Sequence, residues 1–222
     1  MVAGRPDEVE VGEASGRGFG EAQALFALAA LRGPYLPWGS GAMRPAGLVA
    51  VCNDIVLHDR RRVVELGAGV STVMLARLFA QLGGGVGRRL VAVEHDPTWR
   101  AWVIDRLAME GAEADVMVVE APLSRTPGTG ELAWYDEAAI DATVDVIDLL
   151  VVDGPPAFDA GFGLARHRAL PALRDRLVPG ATVVLDDIER PGEQEVLRRW
   201  EGEFGLGFRR DIEAGVAIAT VP

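Results

Sequence analysis

Between residues 63 and 185, short and evenly apolar runs alternate with longer stretches in which apolar positions recur every three or four residues. The runs show no polar alternation, which predicts strands buried on both faces. They fall at Val63–Leu66, Leu90–Glu94, Val116–Glu120, Ile147–Val152 and Thr182–Leu185. The intervening stretches predict helices at Ser71–Leu82, Thr98–Glu110, Leu164–Leu177 and Glu193–Phe204. Such alternation predicts an α/β fold with a parallel sheet covered on both faces. The end of the chain breaks the rhythm. Gly207–Ile212 and Val216–Val221 are separated only by Glu213-Ala214-Gly215, a hairpin signal. Upstream, Phe19–Leu31 carries a helical apolar pattern that stops at Gly33-Pro34; a loop runs on to Gly41, and a second helix is predicted over Pro45–Leu57. Residues 1–18 lack apolar periodicity and read as a mobile tail. The expected organisation is thus a tail at 1–18, a helical cap at 19–60 and an α/β domain at 61–222.

Composition narrows the partners. The chain has 222 residues, 49% of them apolar, enough for one sizeable core. No run reaches the roughly 18 apolar residues of a membrane span, and the start lacks the apolar centre of a signal peptide. A soluble, cytoplasmic protein is expected. Cys52 is the only cysteine, which excludes a disulfide within the chain and a thiolate metal cluster. The net charge of −11 argues against a protein that grips nucleic acid, which ordinarily offers the phosphates a basic patch. All 22 basic residues are arginine, so chemistry that needs a side-chain amine is excluded. The longest basic run, Arg60-Arg61-Arg62, reads as a solvated cap beneath the first core strand. The expected partner is a small molecule, with neither nucleic acid nor membrane; a homodimer stays open.

Candidate chemistry starts at residues 61–72, where a strand runs through Glu65 into a turn with Gly67 and Gly69 and then into a helix near Ser71. Glycine lets a backbone turn sharply and lie flat against a ligand, and free N–H groups at a helix start attract anionic or polar groups. Glu94 ends the second strand, where a carboxylate can accept both hydroxyls of a ribose. A nicotinamide dinucleotide would use the same pair, but its Gly-x-Gly-x-x-Gly fingerprint needs glycine at position 72, and Thr72 stands there. Asp96, ahead of Pro97, lines the same wall or caps the following helix.

The form Glu-Leu-Gly-x-Gly followed by Ser-Thr resembles the first motif of class I S-adenosylmethionine-dependent methyltransferases. The resemblance continues in order through Ala-Val-Glu-His-Asp-Pro-Thr-Trp, Ala-Trp-Tyr-Asp, Asp-Leu-Leu-Val-Val-Asp-Gly-Pro-Pro and Val-Leu-Asp-Asp-Ile-Glu-Arg. Over residues 34 to 222 it points to a group of bacterial methyltransferase-domain proteins, often of unassigned substrate. It implies a Rossmann-like, doubly wound sheet of seven strands, mostly parallel and closing on the C-terminal antiparallel hairpin. It further implies S-adenosylmethionine as cofactor, held by Glu65, Gly67, Gly69, Ser71, Thr72, Glu94, His95 and Glu120. Glu65 would lie near the amino-acid end of that molecule, Glu94 at the ribose hydroxyls and Glu120 beside the adenine.

Asp153 closes the fourth strand and Asp186-Asp187 close the fifth, so three carboxylates should converge on one rim of a parallel sheet. Oxygen ligands of this kind suit Mg²⁺. The set is similar to the metal site of catechol- and caffeoyl-type O-methyltransferases, with two departures. Asp187 stands where those enzymes have an amide, and Gly154-Pro155-Pro156 replaces the segment that carries their lysine. Three readings stay open: Asp153, Asp186 and Asp187 bind Mg²⁺; like charge makes Asp153 a general base; or the trio caps a helix and holds a turn. His167, flanked by Arg166 and Arg168, is either a second catalytic base or a surface residue; Arg166 suits an anionic substrate group, and Arg190 can pair with the trio. Trp38, Met43, Trp134 and Tyr135 fall in predicted loops and are expected to wall a substrate pocket. The leading expectation is methyl transfer to a hydroxyl oxygen of a small molecule, metal-assisted if the trio binds an ion. The alternatives are a nicotinamide-dependent oxidoreductase and a cofactor-binding partner protein without catalysis.

Overall fold

A computed structural model describes residues 20–84, 87–125, 133–157 and 163–222. The expected tail at 1–18 lies outside them. A helix over residues 20–28 (α1) and a second at Pro45–Leu57 (α2) precede the sheet. There follow β1 (Arg62–Leu66), α3 (Val70–Gln81), β2 (Arg89–Glu94), α4 (Pro97–Glu110), β3 (Val116–Glu120), β4 (Leu123–Arg125), β5 (Ala133–Tyr135) and α5 (Glu137–Asp141). The chain ends with β6 (Ile147–Val152), α6 (Ala169–Leu173), β7 (Leu177–Leu185), α7 (Pro191–Phe204), β8 (Arg209–Asp211) and β9 (Val216–Thr220).

Seven strands form one sheet in the order β3-β2-β1-β6-β7-β9-β8. The first five neighbours run parallel, and β9 pairs antiparallel with both β7 and β8. The chain therefore winds outward from β1 to β3 and returns to the other side of β1 with β6. The topological switch lies between β1 and β6, and their carboxyl ends open onto the crevice where such sheets hold ligands.

The evenly apolar runs become strands because both faces are covered. Val63, Leu149 and Val151 enter one core with Leu48, Val51 and Ile55 of α2 and with Val73, Leu75 and Phe79 of α3. Val64, Leu150 and Val152 enter a second core with Leu170, Leu173, Val196 and Trp200. Successive strand residues thus alternate between the two cores, as the twofold period of a strand requires. α4 starts where predicted: Asp96 accepts hydrogen bonds from the N–H groups of Thr98 and Trp99, and Pro97 takes the first helical position.

Four expectations need correction. The helix predicted over Leu164–Leu177 is instead a 3₁₀ turn at Ala165–Arg168, the short α6 and a second 3₁₀ turn at Arg174–Arg176, with β7 starting already at Leu177. Pro171 is the reason. It has no N–H to give the His167 carbonyl, so the α-helix starts anew at Ala169 with Pro171 in its first turn. The freed His167 carbonyl accepts from Trp200 Nε1 at 2.9 Å instead. Second, Ala133–Tyr135 is no loop but a strand paired antiparallel with β4, and Trp134 and Tyr135 are only 2% and 1% exposed; Trp134 is core, whereas Tyr135 still borders the cleft, as expected. Three-residue strands are too short to show a period. Third, Met43 is core rather than pocket wall, and Trp38 packs half-buried against the same core. Fourth, Arg60 turns inward from the basic run, donating to Asp54 Oδ2, the Gly180 carbonyl and Thr182 Oγ1. Among the described residues no helix is long and apolar enough to cross a membrane.

Candidate functional site

The β1–α3 turn is shaped by Gly67, whose φ of +94° is a conformation that L side chains rarely adopt. Its N–H donates to the Val93 carbonyl at 2.9 Å, tying the turn to β2. A Cβ on Gly67 would also come within 3.0 Å of the Gly154 nitrogen, and one on Gly154 within 2.1 Å of Tyr135 Oη. The turns that follow β1 and β6 are therefore in backbone contact across the switch point, with the Tyr135 phenol above them.

Behind this turn runs a chain of hydrogen bonds. The Gly69 N–H donates to Thr72 Oγ1 at 2.8 Å, and the Thr72 hydroxyl donates to Glu65 Oε2 at 2.5 Å. Glu65 is fully buried, and burial pushes its carboxyl up to about 7, against the hydrogen bonds from Ser71 and Thr72 and with Glu94 adding like charge. Glu65 Oε1 has no hydrogen-bond partner among the described residues. Glu94 Oε1 accepts from the N–H groups of His95 and Asp96, at 2.9 and 2.7 Å, which turns the chain around its carboxylate. His95 Nδ1 lies 2.9 Å from the same oxygen, and that carboxylate raises the imidazole pKa. Trp99 Nε1 donates to the Ala68 carbonyl at 2.8 Å and so links α4 to the glycine turn.

Across the switch point, Asp153, Asp186 and Asp187 bring one carboxylate oxygen each to within 4.8 Å of one another. They are not alone. Arg166, whose side chain is 4% exposed, lies with Nη2 3.3 Å from Asp153 Oδ1 and Nη1 3.1 Å from Asp187 Oδ2. Its guanidinium also donates to the backbone carbonyls of Asp153, Pro155 and Asp186. A fourth carboxylate, the buried Glu193 from the first turn of α7, lies 3.7 Å from Arg166 Nη1. Arg190 pairs with Asp187 at 2.8 Å from the open side. Burial, then mutual repulsion, pushes the carboxyls of Asp153 and Asp186 upward, while Arg166 opposes the rise. Asp187 holds a φ of +62°, a conformation that a non-glycine residue seldom takes and that often marks a functional turn.

The two halves share one cleft of about 730 Å³, within the roughly 300–1,000 Å³ of small-molecule sites. The loop from Pro37 to Ala42 forms one wall, Gly67–Ser71 the floor, Glu94–Asp96 with Trp99 one end, and Asp153, Arg166, Asp187 and Arg190 the other. Of the residues singled out in the sequence, Gly67, Gly69, Ser71, Glu94, His95, Asp96, Tyr135, Asp153, Arg166, Asp187 and Arg190 line this cleft. Glu65 and Thr72 lie buried behind the turn, and Asp186 is buried next to Asp153. Glu120 is outside the cleft lining, half exposed and 3.6 Å from Arg100. His167 is outside it as well, with Nε2 3.1 Å from Glu203. Arg166 and His167 are neighbours on one 3₁₀ turn, and only the arginine faces inward. Sequence reasoning missed Glu193 and the full role of Arg166. A glutamate in a first helical turn ordinarily reads as a dipole partner, and nothing in its neighbours signals burial.

The residues present fit a nucleoside cofactor. A turn without side chains at Gly67 and Gly69 lies between the open N-terminus of α3 and the Glu94 carboxylate, all on the cleft. They fit a divalent ion poorly. The donor oxygens are right, but two of the three carboxylates already face guanidinium nitrogens.

Comparison with known proteins agrees with this geometry. A family model described as a methyltransferase domain matches residues 64–188, more than half of the chain. No curated protein matches it by sequence. Among solved structures, an SAH-bound methyltransferase of Podospora anserina superposes with a TM-score of 0.64 at 12% identity, covering 100% of this chain and 99% of its own. A putative caffeoyl-CoA O-methyltransferase from Staphylococcus aureus gives 0.62 at 12% identity over 84% and 86%. The O-methyltransferase of Bacillus cereus, solved with SAH, gives 0.55 at 16% identity over 91% and 90%. At these identities the likeness speaks for the fold.

Proposed function

The chain belongs to the methyltransferase-domain family, and on that premise we propose that it transfers a methyl group from S-adenosylmethionine to a hydroxyl oxygen of a small molecule. The observation that carries this reading is the shared cleft, with a nucleoside-type cradle at one end and a charged rim at the other. The likeness to O-methyltransferases of Staphylococcus aureus and Bacillus cereus supports oxygen as the acceptor.

S-adenosylmethionine supplies a methyl group already activated on a sulfonium, open to in-line displacement by the acceptor oxygen. The protein's contribution is then alignment and removal of one proton. Glu94 receives the ribose hydroxyls, Gly67 and Gly69 let the backbone lie against the nucleoside, and Ser71 offers the start of α3 to the polar end. Asp153, at the cleft beside the glycine turn, takes the acceptor's proton, and Arg166 offsets the charge that gathers there. Arg190, on the open side, orients the acceptor.

Two measurements test this. Calorimetric titration should show binding of S-adenosylhomocysteine, the demethylated product, and none of NAD; the reverse result would remove the function. Screening purified protein and labelled donor against metabolite pools should find a hydroxyl acceptor, and Asp153→Asn should abolish turnover while cofactor affinity persists. An active Asp153→Asn enzyme would remove the proton acceptor.

A further inference from the structure

The cation at the acidic rim is part of the chain. We propose that the Arg166 guanidinium occupies the place of a divalent ion among Asp153, Asp186 and Asp187, so that the native protein leaves the rim free of metal and becomes a metal binder only when Arg166 is removed. The oxygens by themselves form a plausible hard-cation site. The guanidinium contests it. Its two terminal nitrogens each approach a different carboxylate of the trio, and all three nitrogens are held by the carbonyls of Asp153, Pro155 and Asp186. A side chain buried to this degree and bonded on every nitrogen can leave its place only by giving up all of these bonds and leaving buried carboxylates unpaired. A divalent ion entering beside it would set like charges against each other where little water screens them.

Glu193 is the independent observation. It is buried, neither of its carboxylate oxygens has a hydrogen-bond partner among the described residues, and Arg166 Nη1 lies 3.7 Å away. The rim therefore gathers four carboxylates from β6, β7 and α7 around one fixed positive charge, with Arg190 adding a second from outside. For the transfer reaction this means that charge at the acceptor is balanced by a guanidinium, independent of added ions. That consequence rests on the function proposed above, whereas the occupancy of the rim does not.

The test is Mn²⁺ binding by the full chain, read from the paramagnetic resonance of free Mn²⁺ and from thermal unfolding with Mg²⁺ or a chelator. Wild-type protein should bind no Mn²⁺ at the rim, and neither Mg²⁺ nor the chelator should move its unfolding temperature. Arg166→Gln should unfold at lower temperature in chelator, recover saturably with Mg²⁺ by mass action, and bind Mn²⁺ at least roughly tenfold tighter than wild type. Adding Asp187→Asn to that variant should abolish the recovery. Saturable Mg²⁺ stabilisation of the wild type that Asp153→Asn removes would overturn the proposal, whatever the variants do. So would a folded Arg166→Gln that gains no metal affinity. Calorimetry with S-adenosylhomocysteine on the same wild-type samples reports separately on the donor, so its failure leaves the rim result standing.

Discussion

The two ends of the cleft are built differently. At the donor end the groups that satisfy one another are close in sequence: Glu65 with Thr72, Gly69 with Thr72, and Glu94 with the two residues after it. At the acceptor end Asp153, Arg166, Asp186 and Glu193 come from four separate elements and meet only in the folded chain. The donor end is a motif that carries its own hydrogen bonds. The acceptor end is a cluster of buried charge held by one arginine. A common cofactor can be read by a locally closed motif, whereas an acceptor site assembled from distant residues can change partner without disturbing the first.

Removing the arginine tests that contrast most severely. Arg166→Met leaves several buried carboxylates without their cation, and unfolding in urea at neutral pH should show a loss of about 3–5 kcal/mol. A loss below ~1 kcal/mol would mean that the cluster is not held in this way.

The donor end should instead reveal itself through pH. Glu65 holds its proton up to about 7 in the folded protein, whereas an ordinary glutamate releases it near 4.5. Between these values the folded form binds the extra proton, so stability falls as pH rises from about 4.5 to about 7, by at most ~3 kcal/mol. Comparing urea midpoints of the wild type and Glu65→Gln across that window should show the flatter slope in the variant. Equal slopes would mean that Glu65 is charged throughout.

Glu94→Ala should weaken S-adenosylhomocysteine by about 1.5–3 kcal/mol in calorimetry, the scale of hydrogen bonds to a charged group. Unchanged affinity would move the ribose elsewhere. The smallest effect is expected outside both halves: His167→Ala breaks only a peripheral contact with Glu203 and should change stability by under ~1 kcal/mol and turnover not at all. A large loss of turnover there would return His167 to the catalytic set.

The donor end was legible for the reason it is self-contained. The strand, the glycine turn and the helix start occupy twelve consecutive residues, 61 to 72, and Glu94 ends an unbroken apolar strand. The parallel sheet and its antiparallel ending followed from alternation and the closing hairpin. Less was legible where local pattern is weak. β5 is three residues long, so Trp134 and Tyr135 read as loop aromatics although both are buried in a strand, Tyr135 at the edge of the cleft. Pro171 divided a helix that apolar spacing alone had drawn as continuous.

What the sequence determined by itself is the parallel sheet with its antiparallel ending and the glycine turn that faces Glu94. These rest on periodicity and on contacts a few residues long, which a linear reading can follow. Only the tertiary structure decided what stands among the three aspartates. The sequence brings carboxylates to one rim, but whether a metal or an arginine balances them depends on which way the side chains of one 3₁₀ turn point. That choice was made by packing: Trp200 holds the His167 carbonyl, His167 faces Glu203, and Arg166 is left facing the carboxylates. Buried charge must find an opposite charge wherever the fold supplies one. Spacing along the chain does not record where that is.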